Sequence, residues 1–194
     1  MLPISLIALV MSASCFGSYI WGIWTLFQRV KHFPIQMKLI NALGLFFFAA
    51  QILSILRAKF HSMGVTAVGL VLYGVALILF WWAVPYARRS RFAVAFTRVQ
   101  PTILVCDGPY QYIRHPFYSS YVAFWIAGVL VSWQLWLLLS VLVMGGFYLR
   151  AMQQEEREFR ESSLQSSYQV YRRVTGRIFP FRRIRMRRQI KQGN

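Results

Sequence analysis

The sequence predicts an all-α integral membrane protein with five transmembrane helices, the last two a helical hairpin, followed by a cytosolic helical and loop region. Three observations carry this. Of 194 residues, 57% are hydrophobic and 14% charged, which does not describe a water-facing surface. Apolar runs occupy residues 2–27, 39–56, 62–87 and 117–149. Each is long enough to cross a hydrocarbon core about 30 Å thick, which takes about 20 helical residues. The basic residues, finally, fall almost entirely on one side of the chain path that five helices would trace.

The first run has no basic segment before it and is too long for a cleaved signal, so it reads as a retained helix. In the third, Gly64, Gly69 and Gly74 would permit close helix contact. The fourth contains 33 uncharged residues from Phe117 to Leu149. As one helix these would extend roughly 50 Å at 1.5 Å per residue, more than tilting readily accommodates. Ser132-Trp133-Gln134 is the polar interruption near the centre, so a tight turn is expected there, with a short first arm and a second arm continuing past Arg150.

Charge counting supports the hairpin, because loops kept in the cytoplasm carry the Lys and Arg excess. With the N-terminus outside, the inner segments hold twenty of the 22 basic residues and the outer ones only Arg57 and Lys59. The expected organisation is therefore membrane helices and a connecting loop over 1–99, a core over 100–181, and a basic tail over 182–194. Trp81, Trp82, Trp133 and Trp136 lie near span ends and read as interface anchors.

The net charge of +17 does not imply nucleic acid, since the arginines flank apolar spans; it implies contact with anionic lipid headgroups, above all through the tail. Cys15 and Cys106 support no disulfide framework. With three scattered histidines they offer no metal-ligand spacing either. Acid is scarce: Asp107 is the first acidic residue, and Glu155, Glu156, Glu158 and Glu161 follow within seven positions.

The most polar stretch is GPYQYIRHPFY, residues 108–118, at the doorway of the uncharged run. Gly108-Pro109 marks a turn. His115, preceding a proline, is biased toward extended backbone, so a helix should begin with Pro116 at its first position. Free N–H groups and the positive dipole end would then attract an anion, with Arg114 and His115 adding donors. Tyr110, Tyr112 and Tyr118 add ring faces and hydroxyls. Antiparallel arms would return the acidic stretch QQEEREFRE to this same doorway. A polar, partly anionic ligand at the membrane surface fits; so does an aromatic and arginine interfacial belt. Glu156 with Arg160, and Arg157 with Glu161, also have the spacing of solubilising i,i+4 pairs.

GPYQYIRHPFY, then EERE, then YQVYRRVTGRIFP resemble the isoprenylcysteine carboxyl methyltransferase family of integral membrane enzymes. The positions that carry the resemblance are Gly108, Tyr110, Arg114, His115, Pro116, Tyr118, Glu155, Glu156, Tyr168, Tyr171 and Pro180, within roughly residues 100–181. Ser120 departs from the glycine usual there. An arginine that precedes the glutamates by a turn in some members has Met152 in its register, which leaves Arg150 as the substitute for meeting the substrate. The resemblance implies methyl transfer from S-adenosylmethionine, leaving S-adenosylhomocysteine, to the carboxylate of a prenylated C-terminal cysteine. It implies cofactor binding by Thr102, Ile103, Leu104, Val105, Tyr110, His115, Pro116, Phe117, Tyr118 and Glu156. The residues themselves suit these roles, Glu156 for the ammonium; Tyr168 and Tyr171, one helical turn apart, fit closure over the cofactor and equally fit plain interfacial aromatics.

A carboxylate is nucleophilic at neutral pH, so its methylation needs alignment and loss of water rather than a general base. A phospholipid N-methyltransferase is the nearest alternative: an amine must first lose a proton, and Glu155 would be the acceptor. A scaffold or channel would instead spread polar residues along several spans. Here Gln28, Asn41 and Gln51 are sparse.

Overall fold

The computed structural model describes residues 2–26, 34–58, 62–90 and 101–180. The basic tail, the loop over 91–100 and the other connectors, with His32 and His61, lie outside the described residues. Among the described residues six α-helices follow in order: α1 (Leu2–Thr25), α2 (Ile35–Leu56), α3 (Met63–Ser90), α4 (Pro116–Ser132), α5 (Leu138–Arg160) and α6 (Gln165–Val174). Short 3-10 turns occupy Gly108–Gln111 and Leu135–Leu137. Within α1, α2, α3 and the segment Leu135–Arg160 lie four stretches long and apolar enough to cross a membrane; α4 is a shorter apolar helix. Their outward faces carry Leu6, Leu45, Phe46, Ile78 and Leu142, each at least 60% exposed. Apolar surface on that scale belongs against lipid rather than water.

The long uncharged run does fold back on itself. At the end of α4, Trp133 takes the left-handed conformation (φ 57°, ψ 27°) and its N–H caps the Val129 carbonyl. Ser132 contributes by turning its hydroxyl back onto the Gly128 carbonyl at 2.7 Å. The polar triplet thus supplies the break, and the 3-10 turn starts the return arm.

Cross-helix contacts fix the directions. Tyr19 of α1 packs on Phe80 of α3 with centroids 5.2 Å apart, and the Arg88 guanidinium lies 5.2 Å over the Trp21 ring, so α1 and α3 run parallel. Ser120 donates to the Ala76 carbonyl near one end of α4, while the Trp133 indole N–H reaches Thr66 just past the other. Helix α4 is therefore antiparallel to α3. The end of α3, the start of α4 and the end of α5 consequently share one face of the bundle.

At 17 residues α4 is short for a span, and its position explains why this is tolerated. Eleven of its positions are buried, from Pro116 to Ser132, so it is enclosed by other helices rather than lipid. Of the three α3 glycines only Gly69 is tight: a Cβ there would lie 2.6 Å from Val131 Cγ2 and 3.1 Å from the Ala127 carbonyl. Gly64 and Gly74 have room. At Gly128 a Cβ would overlap the Gln51 amide oxygen. Gln51, fully buried, donates from Nε2 to Ser12 and Tyr73, both at 2.9 Å, and so ties α2 to α1 and α3 beneath α4.

Candidate active site

The doorway is a compact turn followed by a helix start. Gly108 has φ +61°, a conformation that glycine adopts without steric cost, and a Cβ there would overlap the Tyr86 ring. The 3-10 turn runs over Gly108–Gln111, His115 sits at the N-cap in a partly extended conformation (φ −126°, ψ 66°), and Pro116 opens α4 as its first residue. Each feature follows from the local sequence: glycine where φ is positive, proline where no N–H is needed.

Glu156 is the hub. Its side chain is 2% exposed, yet Oε1 faces Arg114 Nε at 3.2 Å, Arg177 Nε at 3.0 Å and His115 Nε2 at 3.4 Å, while Oε2 accepts from Arg177 Nη2 at 2.6 Å. A carboxylate so deep in apolar surroundings is tolerable only with such partners. The neighbouring Glu155 is more open, with a side chain 34% exposed. Its Oε1 accepts from the Tyr118 hydroxyl at 2.6 Å, and its Oε2 lies 3.3 Å from His115 Nδ1.

His115 therefore has a carboxylate at each ring nitrogen. Burial disfavours the imidazolium, but hydrogen bonds and charge from Glu155 and Glu156 outweigh it, and the histidine pKa is raised above its usual 6.5. Only the doubly protonated ring can donate to both sides.

A segment following α6 stitches the doorway shut. Arg114 N–H donates to the Gly176 carbonyl at 2.8 Å, His115 N–H to the Arg177 carbonyl at 3.2 Å, and Gly176 N–H back to Tyr112 at 3.1 Å, an isolated parallel bridge. Arg114 Nη1 donates to the Arg172 and Thr175 carbonyls. Ser119 bonds the Ile178 carbonyl at 2.7 Å, and the Tyr171 hydroxyl bonds the Tyr110 carbonyl at 2.7 Å.

The structure brings Arg114, His115, Tyr118, Glu155 and Glu156 together as the hairpin requires. Phe117 turns its ring onto Phe80, with centroids 5.3 Å apart, and Tyr110 is buried beneath Tyr171. Residues 102–105 lie in a segment without regular secondary structure, Thr102 and Ile103 exposed, Leu104 and Val105 half-buried. Arg150 stands exposed on α5, about 120–140° around the helix from the two glutamates, and Met152 is core. Tyr168 stacks on Phe159 with centroids 4.9 Å apart.

Arg177, Thr175 and Ser119 escaped the sequence reading, as did Tyr148, which packs 5.7 Å from Tyr118 and accepts from the Trp125 indole at 3.1 Å. The segment VTGRIFP held the signal for Arg177: a lone arginine between a glycine and an apolar pair, outside the basic clusters on either side.

No curated protein and no solved structure matches the chain significantly. Residues 67–161, from within α3 to just past α5, match the Isoprenylcysteine carboxyl methyltransferase (ICMT) family, a stretch that contains Arg114, His115, Tyr118, Glu155 and Glu156 and stops short of Arg177. Through that core, just under half of the chain, the protein is similar to this family, and the match supports an isoprenylcysteine carboxyl methyltransferase-like enzyme.

Proposed function

We propose that the chain transfers a methyl group from S-adenosylmethionine to the C-terminal carboxylate of a prenylated cysteine, or a similar lipid-linked carboxylate, at the cytosolic membrane interface. The observation that carries this reading is the pair Glu155 and Glu156, of which one is consumed internally and the other stays accessible beside an aromatic wall. Such a site suits a ligand with an ammonium, an apolar ring system and a cationic sulfur.

The residues present fit that cofactor. Glu155, half-buried, is the carboxylate that can take the ammonium. Glu156 was the sequence expectation for that role, but its three cationic partners leave little approach, and it serves better by fixing Arg114, His115 and Arg177. Ile103, Leu104 and Val105 offer an apolar bed for adenine. When bound, S-adenosylmethionine supplies an electrophilic methyl that the carboxylate oxygen takes while the C–S electron pair stays on sulfur. No proton moves, so the chain's task is orientation and exclusion of water. Tyr118, Tyr121 and Tyr148, with centroids 5.5–6.0 Å apart, form a wall against water next to Glu155.

Five spans with the N-terminus outside are supported by the asymmetry of twenty basic residues against two, and the tail over 182–194 is suited to anionic headgroups. The N-methyltransferase alternative asks Glu155 to accept a proton from an amine, a step that methylation of a carboxylate does not need. The deciding experiment supplies radiolabelled S-adenosylmethionine with either a prenylcysteine analogue or phosphatidylethanolamine. Base-labile methyl ester on the first supports the proposal; methylated amine on the second, with a rate rising with amine deprotonation, overturns it.

A further inference from the structure

The cluster around Glu156 does not balance. Among the described residues, Arg114, Arg177 and a His115 held between two carboxylates meet acidic side chains only at Glu155 and Glu156. One positive charge is in surplus. The most open of the three cations is Arg177, with a side chain 34% exposed, against 10% for Arg114 and His115.

Arg177 spends two of its five N–H groups, one on Nε and one on Nη2, on Glu156. Among the described residues no further partner takes the rest, so one guanidinium edge remains outward. That edge is also held in place, because the Arg177 carbonyl accepts from His115 N–H and the Gly176 carbonyl from Arg114 N–H.

A second donor lacks a partner close by. The Tyr168 hydroxyl is buried without a hydrogen bond, in a side chain 2% exposed, and it feels the charges of Glu156, Arg114, Arg172 and Arg177. A buried hydroxyl left unmatched is costly, and such an orphan calls for a missing acceptor.

We infer that the outward edge of Arg177, together with the unpartnered Tyr168 hydroxyl in its neighbourhood, is the anion site that holds the carboxylate of the lipid-linked substrate; this rests on the methyltransferase reading above. The planar fork of a guanidinium matches a carboxylate at two points, which fixes the direction in which the attacking oxygen faces. Glu156 then acts as a positioning residue, its bidentate pair orienting Arg177.

The test is direct binding of N-acetyl-S-farnesylcysteine and of its neutral carboxamide to the full chain in nanodiscs, by calorimetry, with S-adenosylmethionine affinity measured separately. Two variants are compared with the parent. Arg177→Lys keeps a cation for Glu156 but loses the fork. Tyr168→Phe removes a hydroxyl that no group in the fold uses, so a purely structural role predicts unchanged or improved stability and unchanged binding.

The expected result is that the parent prefers the carboxylate to the carboxamide by roughly tenfold or more, the gain typical of hydrogen bonds to a charged group. Arg177→Lys should erase most of that preference and Tyr168→Phe part of it, with cofactor affinity kept in both. Equal affinity of the parent for the two ligands, or a preference untouched by either variant, would overturn the inference while leaving methyl transfer intact. Absence of binding by both ligands would overturn it together with the proposed substrate class. Lack of cofactor binding alone would sink the methyltransferase reading and not the anion site.

Discussion

Arg177 and Glu156 meet at two points, Nε on Oε1 at 3.0 Å and Nη2 on Oε2 at 2.6 Å, across 21 residues of sequence. The pair locks the end of α5 to the segment that stitches the doorway. Removing the carboxylate charge would leave three cationic groups crowded in a desolvated space. Glu156→Gln is expected to destabilise the fold by about 3 kcal/mol or more, the range for breaking one side of a buried pair. Thermal unfolding in detergent should show this. A loss below about 1 kcal/mol would mean that the cluster is far more hydrated than its burial indicates.

The same cluster sets a pH dependence. The groups facing His115 are Glu155, Glu156 and Tyr118, with Arg114 and Arg177 sharing the Glu156 carboxylate. Because its folded pKa is raised above 6.5, the stabilisation from its imidazolium is complete below about pH 6.5 and is lost as pH rises through the folded value. Stability should therefore decline on the alkaline side of that window. His115→Gln, which does not titrate, should flatten the decline; a parent profile flat from pH 6 to pH 9 would contradict this.

Gly128 lies where a methyl group would overlap the Gln51 amide oxygen. Gly128→Ala is expected to cost about 1–3 kcal/mol through overpacking. Gln51→Ala should relieve part of that cost, so that the double variant is more stable than the two single losses added together. Strict additivity would show that the two residues are not in contact.

Topology can be read chemically. In a Cys15→Ser, Cys106→Ser background, single cysteines at Gln111 and Arg157 should react with a membrane-impermeant maleimide from one side of the bilayer, and a cysteine at Arg57 from the other. If 111 and 157 react from opposite sides, the hairpin does not span.

The hairpin was legible because an uncharged run of 33 residues has few ways to lie in a bilayer, and Ser132-Trp133-Gln134 offered one place to turn. The helix start at Pro116 was legible from proline stereochemistry alone. The helix bounds shifted little: α2 starts at Ile35 and α3 reaches Ser90, because polar and basic residues at helix ends blurred the apolar runs. Arg177 was hidden for a physical reason. An arginine after a transmembrane segment reads as a topological anchor, and nothing local distinguishes one that turns inward to a carboxylate on another helix. Gln51 was hidden likewise, since a single polar residue in a span gives no hint that it joins Ser12 and Tyr73. The division of labour between Glu155 and Glu156 also needed the fold, because adjacent helical positions point about 100° apart and only packing decides which is enclosed.

The bridge between Ile113 and Gly176 has a consequence for biogenesis. During synthesis the doorway is made well before its closing partner, with both arms of the hairpin in between. Insertion of α4 and α5 must therefore precede closure, and a nascent chain paused between them carries a paired, charged centre only in outline. The segment that seals the cluster is thus made after every helix whose charges it joins.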